Sequence, residues 1–305
     1  MIRTGVDFGG TKIEAATVAE DGSILSRVRR PNPGVYDGAL ATVAQVIAEA
    51  EAAAGFVAPR IGIGIPGSLS PVTGRVRNAN SVWINDRPLG VDLERQLGRP
   101  VRLRNDANCF IQSEARDGAA AGSALAFGAI LGTGCGGGLA IGGAEWQGPN
   151  GLAGEWGHTP LPWQTAAEAG AGDGGGLACW CGRRNCLETW ISGSGFVADH
   201  QRSGGSGGTG ADIVQSARAG DPIAGQTLDR YIDRLGRCLA VLCDSLDPDV
   251  IVLGGGMSNV DELYLALPSA VARHVFSDSF ITPILPARHG DSSGVRGAAW
   301  LWPLE

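Results

Sequence analysis

Three cysteines stand within eight residues, Cys179-x-Cys181-x4-Cys186, and His158 precedes them by roughly twenty. Three thiolates and one imidazole make a closed tetrahedral zinc site. With four protein ligands no position is left for water, so the metal would be structural. A redox role fits less well, because the close pair is C-x-C rather than C-x-x-C. The bland alternative is a set of free buried thiols. Two carboxylates flank the ligands: Glu155 three residues before His158, and Glu188 two after Cys186. Zinc would tie them into one rigid corner. Paired carboxylates suit the hydroxyls of a sugar, since each accepts several hydrogen bonds; otherwise both are solvated surface charges.

Glycine supplies the second chemical signal. Asp7-Phe8-Gly9-Gly10-Thr11-Lys12 lies between two apolar stretches, and so does Gly132-Thr133-Gly134-Cys135-Gly136-Gly137-Gly138. Each reads as a hairpin with a Gly/Thr turn. Bare backbone N–H groups in such turns can approach phosphate oxygens, with Thr11 adding a hydroxyl and Lys12 a charge. Asp7 could hold Mg²⁺ through water. A Walker A loop is rejected: the order is Thr-Lys, and a strand rather than a helix follows. Gly254-Gly255-Gly256, after the apolar run 250–253, is a third candidate, suited to a nucleoside or equally to a tight strand-to-helix turn.

The elements that must carry these groups alternate. Residues 36–54 put Leu40, Val43, Ile47 and Ala50 on one helical face. IGIGI (61–65) and VRLR (101–104) read as strands, the second ending at Asn105-Asp106, where ligands bind in such sheets. Helices are expected over 211–219, 222–246, about 261–275 and 294–302, the last packing back on the first domain. The two hairpins lie about one domain length apart, which predicts a duplicated α/β chain. TAAEAGAGDGGG (165–176) and SGGSGGTG (203–210) read as mobile surface loops.

Composition narrows the class. The chain has 305 residues, 44% hydrophobic and 18% charged, as in globular rather than disordered proteins. A net charge of −7 without a basic cluster argues against nucleic acid as partner. No apolar run or signal-peptide pattern points to a membrane, so a cytoplasmic location is the default expectation. Seven cysteines with no export signal argue against a disulfide framework.

DFGGTK, ND at a strand end, GTGxGGG, GEWGH and CxCGxxxCxE occur here in the order seen in ROK-family sugar kinases, and the chain resembles that family over essentially its whole length. NANSVW, NDANCF, GEWGHTPLPW, DPDVIVLGGGMSNV and HGDSSGVRGAAWLWP resemble its bacterial fructokinase (mannofructokinase) branch more closely. The resemblance implies a duplicated actin-like, ribonuclease-H-like α/β fold with a central cleft between domains. The first domain is expected over 1–117, joined by the C-terminal helix at about 291–305, and the second, with the zinc site, over 118–290.

By position, the resemblance makes Asp106 the catalytic base. Asn105, Glu155, His158 and Glu188 would bind sugar hydroxyls, with Gly67 and Asn80 lining that pocket. His158, Cys179, Cys181 and Cys186 would hold zinc. Asp7, Gly9, Gly10, Thr11, Lys12, Gly132, Thr133, Gly134, Gly136 and Gly137 would hold ATP phosphates and Mg²⁺, and Gly254, Gly255 and Gly256 the adenosine. The expected partners are ATP and a hexose, and a homodimer is left open. The expected reaction is phosphorylation of fructose at its 6-hydroxyl. The alternatives are an N-acetylglucosamine kinase or glucokinase, whose carboxylates and zinc corner are the same. A sugar-responsive regulator is more distant, since the first hairpin begins within ten residues of Met1 and leaves no room for a DNA-binding segment. One departure stands out: the family usually has glycine before the last cysteine, where this chain has Asn185, the next residue to tolerate a left-handed backbone.

Overall fold

The computed structural model describes residues 2–302, of Asp291 the backbone alone. The chain divides into two compact units. One comprises Met1–Ala124, Gly138–Gly154 and Arg288–Glu305, the other Leu125–Gly137 and Glu155–Ala287.

In the first unit β1 (Arg3–Phe8), β2 (Lys12–Val18) and β3 (Ile24–Pro31) form an antiparallel meander. Helix α1 (Tyr36–Ala54) follows, burying Leu40, Val43, Val46, Ile47 and Ala50. It ends where Gly55 turns left-handed (φ 64°), with the Gly55 N–H capping Ala52 O at 3.2 Å and the Phe56 N–H capping Glu51 O at 3.1 Å. β4 (Ile61–Ile65) joins β1 in parallel. A small ribbon of β5 (Ser68–Leu69) and β6 (Val76–Arg77) comes next, then α2 (Leu89–Leu97). β7 (Val101–Asn105) pairs with β4 and runs directly into α3 (Asp106–Asp117). The sheet order is β3-β2-β1-β4-β7.

The pattern then repeats. β8 (Leu125–Leu131), β9 (Cys135–Ile141) and β10 (Ala144–Glu145) form the second meander. The short α4 (Ala166–Ala169) and α5 (Glu188–Ile191) precede α6 (Gly193–Arg202), α7 (Gly210–Arg218) and α8 (Pro222–Leu246). β11 (Val250–Gly254), α9 (Asp261–Ala272) and β12 (Ile284–Pro286) complete it, with β11 parallel to β8 and β12. The order β10-β9-β8-β11-β12 repeats that of the first sheet. This is the duplicated actin-like α/β topology, and no described helix is long and apolar enough to cross a membrane.

Helix starts follow from side-chain chemistry. Asp221 caps α8 by accepting the Ala224 N–H at 2.8 Å, with Pro222 in the first turn where no N–H is needed. The closing helix α10 (Ser293–Ala299) lies on β1, β4 and α3. Gly5 and Gly62 have no side chain because the α10 backbone, at Val295 and Ala298, occupies that space.

The expected mobile loop at 165–176 is not a structureless loop. Thr165 and Glu168 form a capping box for α4, and Glu168 is buried. It binds Arg234 at 2.7 Å and Arg237 at 2.8 Å, both on α8. Burial works against the Glu168 charge, but the two arginines outweigh it and hold the carboxyl down at about 2. Across 203–210, Thr209 likewise caps α7 with Asp212 in a capping box.

Candidate active site

In the first unit the Gly9–Thr11 turn joins β1 to β2, with Gly10 and Thr11 exposed. Asn32 braces it from the end of β3, its side chain donating to Gly9 O at 2.8 Å and its backbone to Thr11 O at 2.9 Å. Sequence reasoning missed Asn32, whose role depends only on the β2–β3 pairing. Asp7, the penultimate residue of β1, faces Glu14 across the hairpin. Burial, then the Glu14 charge, pushes the Asp7 carboxyl up to about 6. Lys12 begins β2 and is half-buried.

The loop 78–84 lies beside this turn. A Cβ on Gly10 would sit 3.2 Å from Ser81 Oγ, and Trp83 meets Phe8 with ring centroids 5.9 Å apart. Asn85 fixes the loop by bonding both the N–H and the carbonyl of Ala79 at 2.9 Å, and the neighbouring Asn80 is exposed. Asn105 caps α3, accepting the Ala107 N–H at 2.9 Å and donating to Gly67 O at 2.8 Å. Its amide keeps one N–H for another acceptor. Gly67 is left-handed (φ 75°), and the chain at Arg77 and Ala79 fills the place of a side chain. Asp106, first residue of α3, is exposed, with Oδ1 accepting the Ala107 N–H at 2.8 Å. The first unit therefore gathers Asp7, the Gly9–Lys12 turn and Asn80 at one group of loops, and Gly67, Asn105 and Asp106 at another joined to it through Ala79.

In the second unit the turn between β8 and β9 is Gly132–Gly134. Gly136 and Gly137 stand inside β9 instead, and Gly136 O accepts the Trp156 indole N–H at 2.9 Å. Glu188 opens α5 beneath the turn. Its Oε2 accepts the Cys135 N–H at 3.0 Å, and Gly134 leaves it room, since a Cβ there would lie 2.6 Å from that oxygen. Oε1 accepts the Trp180 indole N–H at 2.6 Å. Trp180 was not expected in the site; its place between two cysteines offered no chemical signal. Glu155 begins a short 3₁₀ turn that ends at His158.

His158, Cys179, Cys181 and Cys186 converge as expected. Their ligand atoms all lie within 4.8 Å of one another, with His158 Nδ1 to Cys179 Sγ and Cys181 Sγ to Cys186 Sγ each 3.6 Å. Tetrahedral bonds of about 2.3 Å require edges of about 3.8 Å, so the donor set and its spacing fit zinc. Asn185 is left-handed (φ 53°), as the family's glycine would be.

A cavity of ≈ 960 Å³ opens beside the Gly132 turn, lined among others by Gly132, Thr133, Gly193, Gly210, Gly256 and Met257. Gly254 ends β11, and Gly255 (φ 80°) lies against Leu131 and Gly132. The N–H of Gly193, at the start of α6, bonds Gly132 O at 2.7 Å. This volume suits a nucleoside. The α6 and α7 walls were absent from the sequence reading, because Val197, Ala198 and Val214 there carry no reactive group and Gln201, Gln215 and Arg218 stand in no motif.

The model of the ROK family matches residues 3–305. The chain belongs to the ROK family. This ROK chain is 40% identical over 298 residues to the N-acetyl-D-glucosamine kinase of Pectobacterium atrosepticum, covering 97% of each chain. Among solved structures it is similar to a ROK hexokinase from Thermus thermophilus (TM-score 0.86, 33% identity, 99% and 97% of the chains covered). A ROK family glucokinase from Streptomyces griseus in complex with glucose and AMPPNP also matches (TM-score 0.81, 30% identity, 98% of each chain).

Proposed function

We propose that this chain is an ATP-dependent sugar kinase that transfers the γ-phosphoryl group of ATP to the 6-hydroxyl of N-acetyl-D-glucosamine. The observation that carries the sugar is the similarity at 40% identity, across nearly the whole of both chains, to a kinase named for it. Fructose, the first expectation from sequence, rested on stretches such as NDANCF and GEWGHTPLPW that resemble the fructokinase branch, and the similarity over nearly the whole chain supports the alternative reading better.

Asp106 accepts the proton as the sugar oxygen attacks the γ-phosphorus. The new O–P bond forms as the bond to the β-phosphate oxygen breaks, and ADP leaves. Exposure at the first turn of α3 leaves Asp106 accessible to substrate, and the base must come within about 2.6–3.2 Å of the hydroxyl. Asn105 has one amide N–H left for a sugar oxygen. Each Glu188 oxygen holds one protein donor and retains a lone pair for a sugar hydroxyl. The Gly9–Lys12 and Gly132–Gly134 turns hold phosphates, and the Gly256 cavity holds the nucleoside. Mg²⁺ travelling with ATP would neutralise phosphate charge, with Asp7 reaching it through water. Zinc on His158, Cys179, Cys181 and Cys186 would lock together the segments that bear Glu155 and Glu188.

Coupled ADP release measured with N-acetylglucosamine, glucose, mannose and fructose tests this reading. The expected result is the highest kcat/KM for N-acetylglucosamine; a preference for fructose would restore the first expectation, and no turnover with any of them would remove the kinase.

A further inference from the structure

At the far end of the first sheet from the Gly9–Lys12 turn, a cavity of ≈ 340 Å³ is lined by Arg3, Arg102, Arg116, Glu145, Trp300 and Trp302 among others. Arg3 begins β1, whose other end carries the turn. Five residue steps at about 3.3 Å put roughly 17 Å between them. The pocket is therefore separate from the site described above.

Three of its buried polar atoms find no partner among the described residues. Arg3 and Trp300 are each only 7% exposed, yet Arg3 Nη1 and the Trp300 indole N–H have no hydrogen-bond partner among the described residues. Burying a donor without an acceptor is unfavourable, and a ligand that supplies the acceptor recovers that loss. Two of the arginines share one indole: the Arg3 guanidinium lies 4.6 Å and that of Arg116 4.8 Å from the Trp300 ring centroid. Arg102 sits 4.0 Å over Trp302 and donates to Leu301 O at 2.6 Å. The indole faces hold the guanidinium planes in position without neutralising them. Burial and the Arg116 charge work against the charged form of Arg3, and the nearby Glu20 carboxylate supports it. Glu145 lines the same space. Glu145 is paired through Oε1 with Arg104 at 2.5 Å, and its Oε2 is buried without a partner among the described residues.

Two unpaired donors, a cluster of guanidiniums and one unpaired acceptor set the chemistry of a fitting ligand. It must bring anionic oxygens for Arg3, Arg116 and Trp300, and a hydroxyl to donate to Glu145. We propose that this pocket binds a small phosphate monoester that also carries hydroxyl groups, the class to which sugar phosphates belong. The volume suits a molecule of that size.

Isothermal titration with glycerol 3-phosphate tests it, on protein whose nucleotide site is saturated with a non-hydrolysable ATP analogue. The wild-type chain should take up one equivalent. Arg116→Gln, an exposed position that folding tolerates, should weaken the dissociation constant at least about tenfold, as expected for a charged hydrogen bond. Arg3→Met should do the same. Glycerol, lacking the anion, should not bind. No uptake of glycerol 3-phosphate at millimolar concentration, or equal affinity in wild type and Arg116→Gln, would overturn the proposal.

Discussion

Replacing Asn185 with glycine, the residue the family usually carries there, is expected to destabilise this chain. Glycine relieves the strain of a left-handed backbone, worth about 1 kcal/mol at most for asparagine. It also loosens the unfolded chain by about 0.5–1 kcal/mol, so these two effects nearly cancel. What remains is the loss of the Asn185 amide. Its Oδ1 accepts the Leu177 N–H at 2.8 Å, and its Nδ2 donates to Gln164 Oε1 at 2.8 Å and to Glu168 O at 3.3 Å. Gly176 lies against this amide with no side chain of its own, so the two positions are matched. An unpaired Leu177 N–H costs about 1–3 kcal/mol, and the other bonds contribute roughly 0.5–1.5 kcal/mol each. The net loss is about 2–6 kcal/mol, read as a lower urea midpoint with unchanged slope. Asn185→Ala should be worse, since it keeps the strain and loses the bonds. A glycine variant as stable as the parent would refute this reasoning.

Trp180→Phe removes the indole donor to Glu188, and the sugar KM should rise about 2- to 10-fold while the ATP KM stays constant. In metal-free, nucleotide-free protein, Asp7 binds its proton more tightly folded than unfolded. Stability should therefore be greatest below about pH 4 as far as Asp7 is concerned, and fall as pH rises toward 6 by no more than about 3 kcal/mol. Asp7→Asn should flatten that slope in pH-dependent denaturation. Metal analysis should find about one zinc per chain, lost together with thermal stability in Cys186→Ser.

Much of this architecture was legible in residue types. The turns at Gly9–Lys12 and Gly132–Gly134 and the cysteine–histidine cluster were readable because each demands unusual residues at fixed spacing. Helix α8 was readable because its apolar period runs uninterrupted between Asp221 and Asp247. The segment 165–176 was misread because its one informative residue, Glu168, finds its partners 66 and 69 positions later. Gly136 and Gly137 were taken for turn residues, but their lack of side chains serves a strand. The cavity beside the Gly132 turn stayed hidden because its α6 and α7 walls carry no motif at fixed spacing. The sugar's identity was not legible either: the same carboxylates and metal corner serve several hexoses, and spacing alone does not separate them.

The account depends most on Asp106 as the group that takes the sugar's proton. Turnover and sugar affinity measured side by side for Asp106→Ala address this directly. Loss of about 10²–10⁴ in kcat, with sugar binding by titration calorimetry nearly unchanged, is the predicted result. Turnover close to that of the parent chain would contradict it.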